Sequence, residues 1–139
     1  MSFQSRAARL FGALTLLLCC GLSGIMVGPA HADPVQGPSW GAIASMNGWY
    51  GYSFNHRSRG AAETAARAQC DRTAGRSGTC VVRGSFDRSC GALATGNYGE
   101  WGTASAASAD AAGKAAAGQC DSHLPTQPCK VVVSVCSPP

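Results

Sequence analysis

The chain has 139 residues, 45% hydrophobic and 13% charged, with a formal net charge of +4. A charge this small, without a dense basic run, supplies no polyanion-binding arm. The length suits one domain rather than two once a leader is removed.

The leader comes first. Arg6 and Arg9 precede an apolar run from Leu10 to Gly28, followed by Ala30-His31-Ala32 and Asp33-Pro34. A positive start, an apolar centre and an Ala-x-Ala site predict a signal peptide over residues 1–32, cleaved after Ala32. The run is near the minimum of about 18 residues for a membrane span. Gly21, Gly24 and Gly28 interrupt it and no basic stop-transfer cluster follows, so no span is expected after cleavage. Neither Cys19 nor Cys20 follows a small residue, which disfavours lipidation, and no Arg-Arg pair marks the twin-arginine route. The expected location is secreted or at the cell envelope. Residues 33–39 form a short extension, and 40–139 form a single domain.

That domain is internally duplicated, as 40–89 and 90–139, at a spacing of 50 residues. Gly41-Ala42-Ile43-Ala44-Ser45 returns as Gly91-Ala92-Leu93-Ala94-Thr95, and Gln69-Cys70-Asp71 as Gln119-Cys120-Asp121, with no gap between. Two copies are too few for an open solenoid, so a closed pseudo-twofold domain is expected. Each copy reads as strand, strand, helix, strand. Residues 41–46 are small and apolar, and Asn47-Gly48 is a hairpin turn signal. Trp49 to Phe54 then alternates, with Tyr50, Tyr52 and Phe54 on one face. In the second copy Gly96-Asn97 supplies the turn and 99–104 the strand. Ser58 is the expected N-cap of a helix over 59–69, with Ala61, Ala65 and Ala68 on one face and a Glu63–Arg67 pair towards solvent. Ser108 caps the second helix, where Asp110 and Lys114 pair. Each helix is expected to end at a cysteine, followed by a polar loop and a β-branched strand. The fold class is α+β: two pseudo-symmetric β-β-α-β repeats forming one small disulfide-bridged domain.

Six cysteines follow the leader: Cys70, Cys80, Cys90, Cys120, Cys129 and Cys136. An even count in a small exported domain reads as disulfides, each worth on the order of 3 kcal/mol. Zinc is disfavoured, because no Cys-x2–4-Cys pair occurs and the only histidines here are His56 and His123. No metal or cofactor is expected. A pairing that respects the duplication joins Cys70 to Cys80 and Cys120 to Cys129, leaving Cys90 for Cys136. Joining Cys70 to Cys120 and Cys80 to Cys129 respects it too.

The sequence shows no catalytic constellation. His56 and His123 sit in polar contexts, oxidised cysteines offer no thiolate, and Glu100, beside Trp101, is a lone carboxylate where glycoside hydrolysis needs two. The aromatics Trp49, Tyr50, Tyr52 and Trp101 are expected to fill the core or to bind a protein or glycan partner. Arg57, Arg59, Arg67, Arg72, Arg76, Arg83 and Arg88 make the first copy basic, which suits an anionic partner or an ordinary solvated surface. Export argues against nucleic acid.

Trp40-Gly41-Ala42-Ile43-Ala44, Ser58-Arg59-Gly60-Ala61-Ala62-Glu63, Cys90-Gly91-Ala92-Leu93-Ala94 and Cys129-Lys130-Val131-Val132-Val133-Ser134-Val135-Cys136 resemble the bacterial exported family catalogued as domain of unknown function 4189. The resemblance implies export, an α+β fold and a bacterial source. It implies no activity and no catalytic residues. The expected function is a non-enzymatic binding or interaction module at the envelope or with a host or competitor molecule. The alternatives are a small extracellular hydrolase, an inhibitor of one, or a structural envelope protein.

Overall fold

A computed structural model describes residues 37–138; the expected signal peptide lies outside the described residues. The elements run β1 (Trp40–Met46), β2 (Trp49–His56), α1 (Arg59–Ala74), β3 (Val81–Asp87), β4 (Cys90–Thr95), β5 (Trp101–Ala106), α2 (Ala109–Asp121) and β6 (Lys130–Cys136). Two antiparallel three-stranded sheets form, in the orders β2-β1-β3 and β5-β4-β6. The β-β-α-β pattern therefore occurs twice. Helix α1 packs on the first sheet and α2 on the second, while β1 meets β4 and β3 meets β5. The order of layers is helix, sheet, sheet, helix.

Local chemistry sets the element ends. Asn47 and Gly48 both have positive φ (46° and 85°), which the tight β1–β2 turn demands and which Asn and Gly supply most readily. Ser58 and Ser108 accept from the N–H groups of Ala61 and Ala111, capping both helices. Helix α1 continues four residues past Cys70, against the expected end there. Gly75 in the left-handed region stops it: the Gly75 N–H donates to the Arg72 carbonyl and the Arg76 N–H to that of Asp71. Helix α2 ends one residue after Cys120, at Asp121.

Three corrections to the expected elements follow from packing. The buried stripe of α1 is Ala62, Ala66 and Cys70, while Ala61 and Ala68 are exposed. Glu63 pairs with Arg59 at 2.7 Å rather than with Arg67, and also accepts from the Ser85 hydroxyl at 2.7 Å. The second hairpin is longer than expected. Its loop spans 96–100, closed by the Gly96 N–H donating to the Glu100 carbonyl, and β5 begins at Trp101. The first copy absorbs the difference through a bulge in β2: Ala42 pairs with Ser53 but Trp40 with His56. Across β2 and β5 the equivalent residues are therefore 51 apart. Ala44 faces Gly51 as Ala94 faces Gly102, and the Gln69 and Gln119 side chains accept from the N–H groups of Tyr52 and Thr103.

Both helices lie so close to their sheets that only glycine fits beneath them. A Cβ on Gly51 would stand 2.3 Å from the Cys70 nitrogen, and one on Gly102 would stand 2.4 Å from the Ala116 oxygen and the Cys120 nitrogen. The helix–sheet layers contain alanines and cysteines, whereas the layer between the sheets holds Ile43, Phe86 and Leu93 flanked by Tyr50, Tyr52, Trp101 and valines of β6. Disulfides join Cys70–Cys80 and Cys120–Cys129, each with a Cα separation of 6.0 Å, and Cys90–Cys136, which are paired neighbours on β4 and β6.

Gly51→Ala and Gly102→Ala are each expected to destabilise the domain by about 2–3 kcal/mol, because the new methyl group meets backbone that has no slack. Gly118→Ala, with open space at its Cβ position in α2, is expected to add about 0.5–1 kcal/mol. Urea unfolding of the three variants measures both; a neutral Gly51→Ala would contradict the close approach.

Candidate functional site

Alternation along β2 divides its aromatics. Tyr50 and Tyr52 turn towards the second sheet and are half-buried against Ile43, Phe86 and Leu93, where Trp101 joins them. Trp101 also lies under the Arg83 guanidinium, 4.3 Å from the ring centre, and Arg83 Nε donates to the Ser45 hydroxyl. Trp49 points to the helix side, at the end where α1 stops, and remains 52% exposed. It is the exposed member of the expected aromatic set.

A cleft of about 220 Å³ opens beside it, lined by Met46, Asn47, Trp49, Ala74, Arg76 and Thr79. Arg76 also lines a shallow depression with Arg72, Asp71 and Ser77. Neither guanidinium has an ion pair or a side-chain hydrogen bond among the described residues. The Asp71 carboxylate is engaged elsewhere: it accepts from the N–H groups of Gly78, Thr79 and Cys80 at 2.8, 3.1 and 2.9 Å. This cradle fixes the loop that carries Arg76 and Thr79, and the Cys70–Cys80 bridge closes it. The sequence names Arg72 and Arg76 only as members of its basic half. The signal that isolates them is the other copy, where Ser122 and Thr126 stand 50 residues on.

The remaining candidates are structural or isolated. Glu100 Oε2 accepts from the Tyr98 N–H at 2.8 Å and so closes the second hairpin. His56 ends β2 and His123 lies exposed after α2; no carboxylate orients either ring among the described residues. No group of three metal-ligating side chains occurs there, and no described helix is long and apolar enough to cross a membrane. A second cleft, of about 150 Å³ between β3 and β5, is lined by Ile43, Phe86 and small or hydroxylated residues.

Comparison with known proteins follows the same outline. The model of the family described as Domain of unknown function (DUF4189) matches residues 40–136. No curated protein matches the chain. Among solved structures, the NMR structure of Rv1813c from Mycobacterium tuberculosis is similar, with 23% identity and a TM-score of 0.52 over 96% of this chain and 99% of that one. At that identity the likeness concerns the fold alone.

The Asp71 cradle makes stability depend on acid. The Cys80 N–H, then those of Gly78 and Thr79, hold the carboxyl below its ordinary value of 3.8 against a smaller opposing effect of burial. The Ser85 hydroxyl and then Arg59 likewise lower Glu63. A carboxyl depressed in the folded state contributes stability that is present above the unfolded value and is lost as pH falls through the folded value. Asp71→Asn is therefore expected to be less stable than the parent at pH 6, with the gap narrowing below about pH 4. Thermal unfolding from pH 6 to 2 checks this; parallel curves for the two proteins would contradict it.

Proposed function

The chain belongs to the family described as Domain of unknown function (DUF4189), and on that premise we propose that it is an exported, non-enzymatic binding module whose contact surface is the Trp49 cleft. The observation that carries the reading is an indole half open to solvent in a cleft lined by Arg76, with Arg72 in the depression that shares Arg76, neither arginine in an ion pair among the described residues. Exposed tryptophan and arginine are the side chains that most often anchor a partner. The three disulfides suit an oxidising compartment, in keeping with the leader pattern of residues 1–32. Acting by binding also suits a surface on which the two histidines stand apart from any orienting carboxylate and Glu100 is committed to a turn. The partner is a protein or glycan of the envelope or of a neighbouring cell.

Mass spectrometry of the protein from its producing cells is expected to give Asp33 as the first residue; a retained 1–32 segment at the surface or in the medium would overturn the leader reading. The purified domain is expected to bind an envelope or host-surface fraction, with Trp49→Ala lowering the bound amount about tenfold while circular dichroism is unchanged. Equal retention of parent and variant, or no retention on any fraction, would overturn the binding reading.

A further inference from the structure

The two copies share a fold, so positions where they agree serve that fold, and an exposed side chain that only one copy carries is not one the shared fold requires. Gly51 and Gly102, Gln69 and Gln119, Asp71 and Asp121, and the capping serines 58 and 108 agree and do equivalent jobs. The Trp49 cleft and the depression that shares Arg76 with it do not agree. With the offset of 51, Trp49 corresponds to Glu100, whose carboxylate closes a turn. Arg72 gives way to Ser122, and the whole connection 122–128 carries no lysine or arginine. No arginine follows Arg88 at all. The first copy thus bears an aromatic and two cations that the fold does not require, clustered at one end of α1.

Resting on the reading of this cleft as the contact surface, we propose that it takes an acidic saccharide. The cleft's volume, about 220 Å³, suits one ring-sized unit, below the 300–1,000 Å³ or so of drug-sized ligand sites. The exposed indole offers an apolar face for the C–H face of a sugar ring. Asn47 and Thr79 supply polar groups on the same lining, and Asn47 lies in the β1–β2 turn. Arg76 lines the cleft and the neighbouring depression, and Arg72 lines the depression alone, so a ring stacked on Trp49 presents its acid group to the Arg76 guanidinium fork, which suits a planar carboxylate, with Arg72 adding positive charge from the depression beside it. Asp71, the carboxylate lining the depression, accepts from the loop N–H groups and forms no ion pair with either arginine.

Tryptophan fluorescence and calorimetric titration of the full exported domain with tetragalacturonate, its carboxyl-reduced counterpart and inorganic phosphate test this. The expected result is binding of tetragalacturonate alone, weakened at least tenfold or so by 0.5 M salt and by Arg72→Ser/Arg76→Thr, and lost in Trp49→Ala. Arg72 and Arg76 are exposed and make no ion pair among the described residues, so folding is expected to survive these replacements. Equal binding of the carboxyl-reduced sugar overturns the acidic requirement and leaves the binding module standing. Displacement by equimolar phosphate reduces the site to a simple anion trap and overturns the saccharide. No binding of any probe overturns the inference, and retention on envelope fractions then decides the broader reading separately.

Discussion

One aromatic ring joins the two halves of this domain. A Cβ built on Gly41 or on Gly91 would fall 2.3 Å from the Phe86 ring, so the ring fills the space that both glycines leave. Gly41 and Gly91 are equivalent positions of the repeat, yet the residue opposite Gly41 is Phe86 and the one opposite Gly91 is Val135. The duplication must break here, because two phenyl rings cannot share the gap between one pair of glycines. Ile43 and Leu93 then close over the same layer with the half-buried tyrosines, Trp101 and the β6 valines. Most of the large apolar side chains that are buried or half-buried sit between the sheets, where a ring buries far more area than an alanine methyl does.

The outer layers follow from that distribution. Alanine and cysteine bury little area each, and their value lies in letting the helix backbone approach the sheet over Gly51 and Gly102. Close approach confines larger side chains to the ends of β1, where Trp40 and Met46 pack half-buried against the first helix layer, and covalent restraint takes the place of volume between them. Cys70–Cys80 and Cys120–Cys129 tie each helix to the start of the next strand, next to the aspartate that caps the loop N–H groups. Cys90–Cys136 ties the central strand of the second sheet to the last strand. Ser39 and Ser137, both buried, join hydroxyls at 3.1 Å beside Asn55, bringing the two ends of the domain together at the β2 bulge.

Much of this was legible in the residues. The repeat revealed the element order, the capping serines, the Asn47-Gly48 turn and a disulfide pairing that treats both copies alike. What escaped has definite causes. Alanine lies on every face of α1, so hydrophobic periodicity has no phase, and choosing Ala61-Ala65-Ala68 over Ala62-Ala66-Cys70 required the sheet. Glu63 has an arginine four residues away on either side, and the approach of Ser85 from β3 accompanies the Arg59 pairing. An extra residue in the second hairpin and a bulge in β2 cancel in the count, so an ungapped match hid an offset of one through both strands. The aromatics were legible as a group but not by destination, since β2 alternation separates Trp49 from Tyr50 only once the helix side is known.

That offset bears directly on function. At a uniform spacing of 50, Trp49 would align with Gly99 and Tyr50 with Glu100, and nothing would set the tryptophan apart from the tyrosine. Corrected to 51, Tyr50 aligns with Trp101, two large rings in the same inter-sheet layer, and Trp49 aligns with Glu100 at the hairpin end. The rings that both copies keep are the ones the fold buries. Of the rings that only one copy keeps, Phe86 and Tyr52 pack between the sheets, whereas Trp49 is left 52% exposed. A duplicated domain therefore carries its own control: the second copy reaches the same β-β-α-β arrangement with neither the tryptophan nor the arginines at this corner, so packing does not account for their presence in the first.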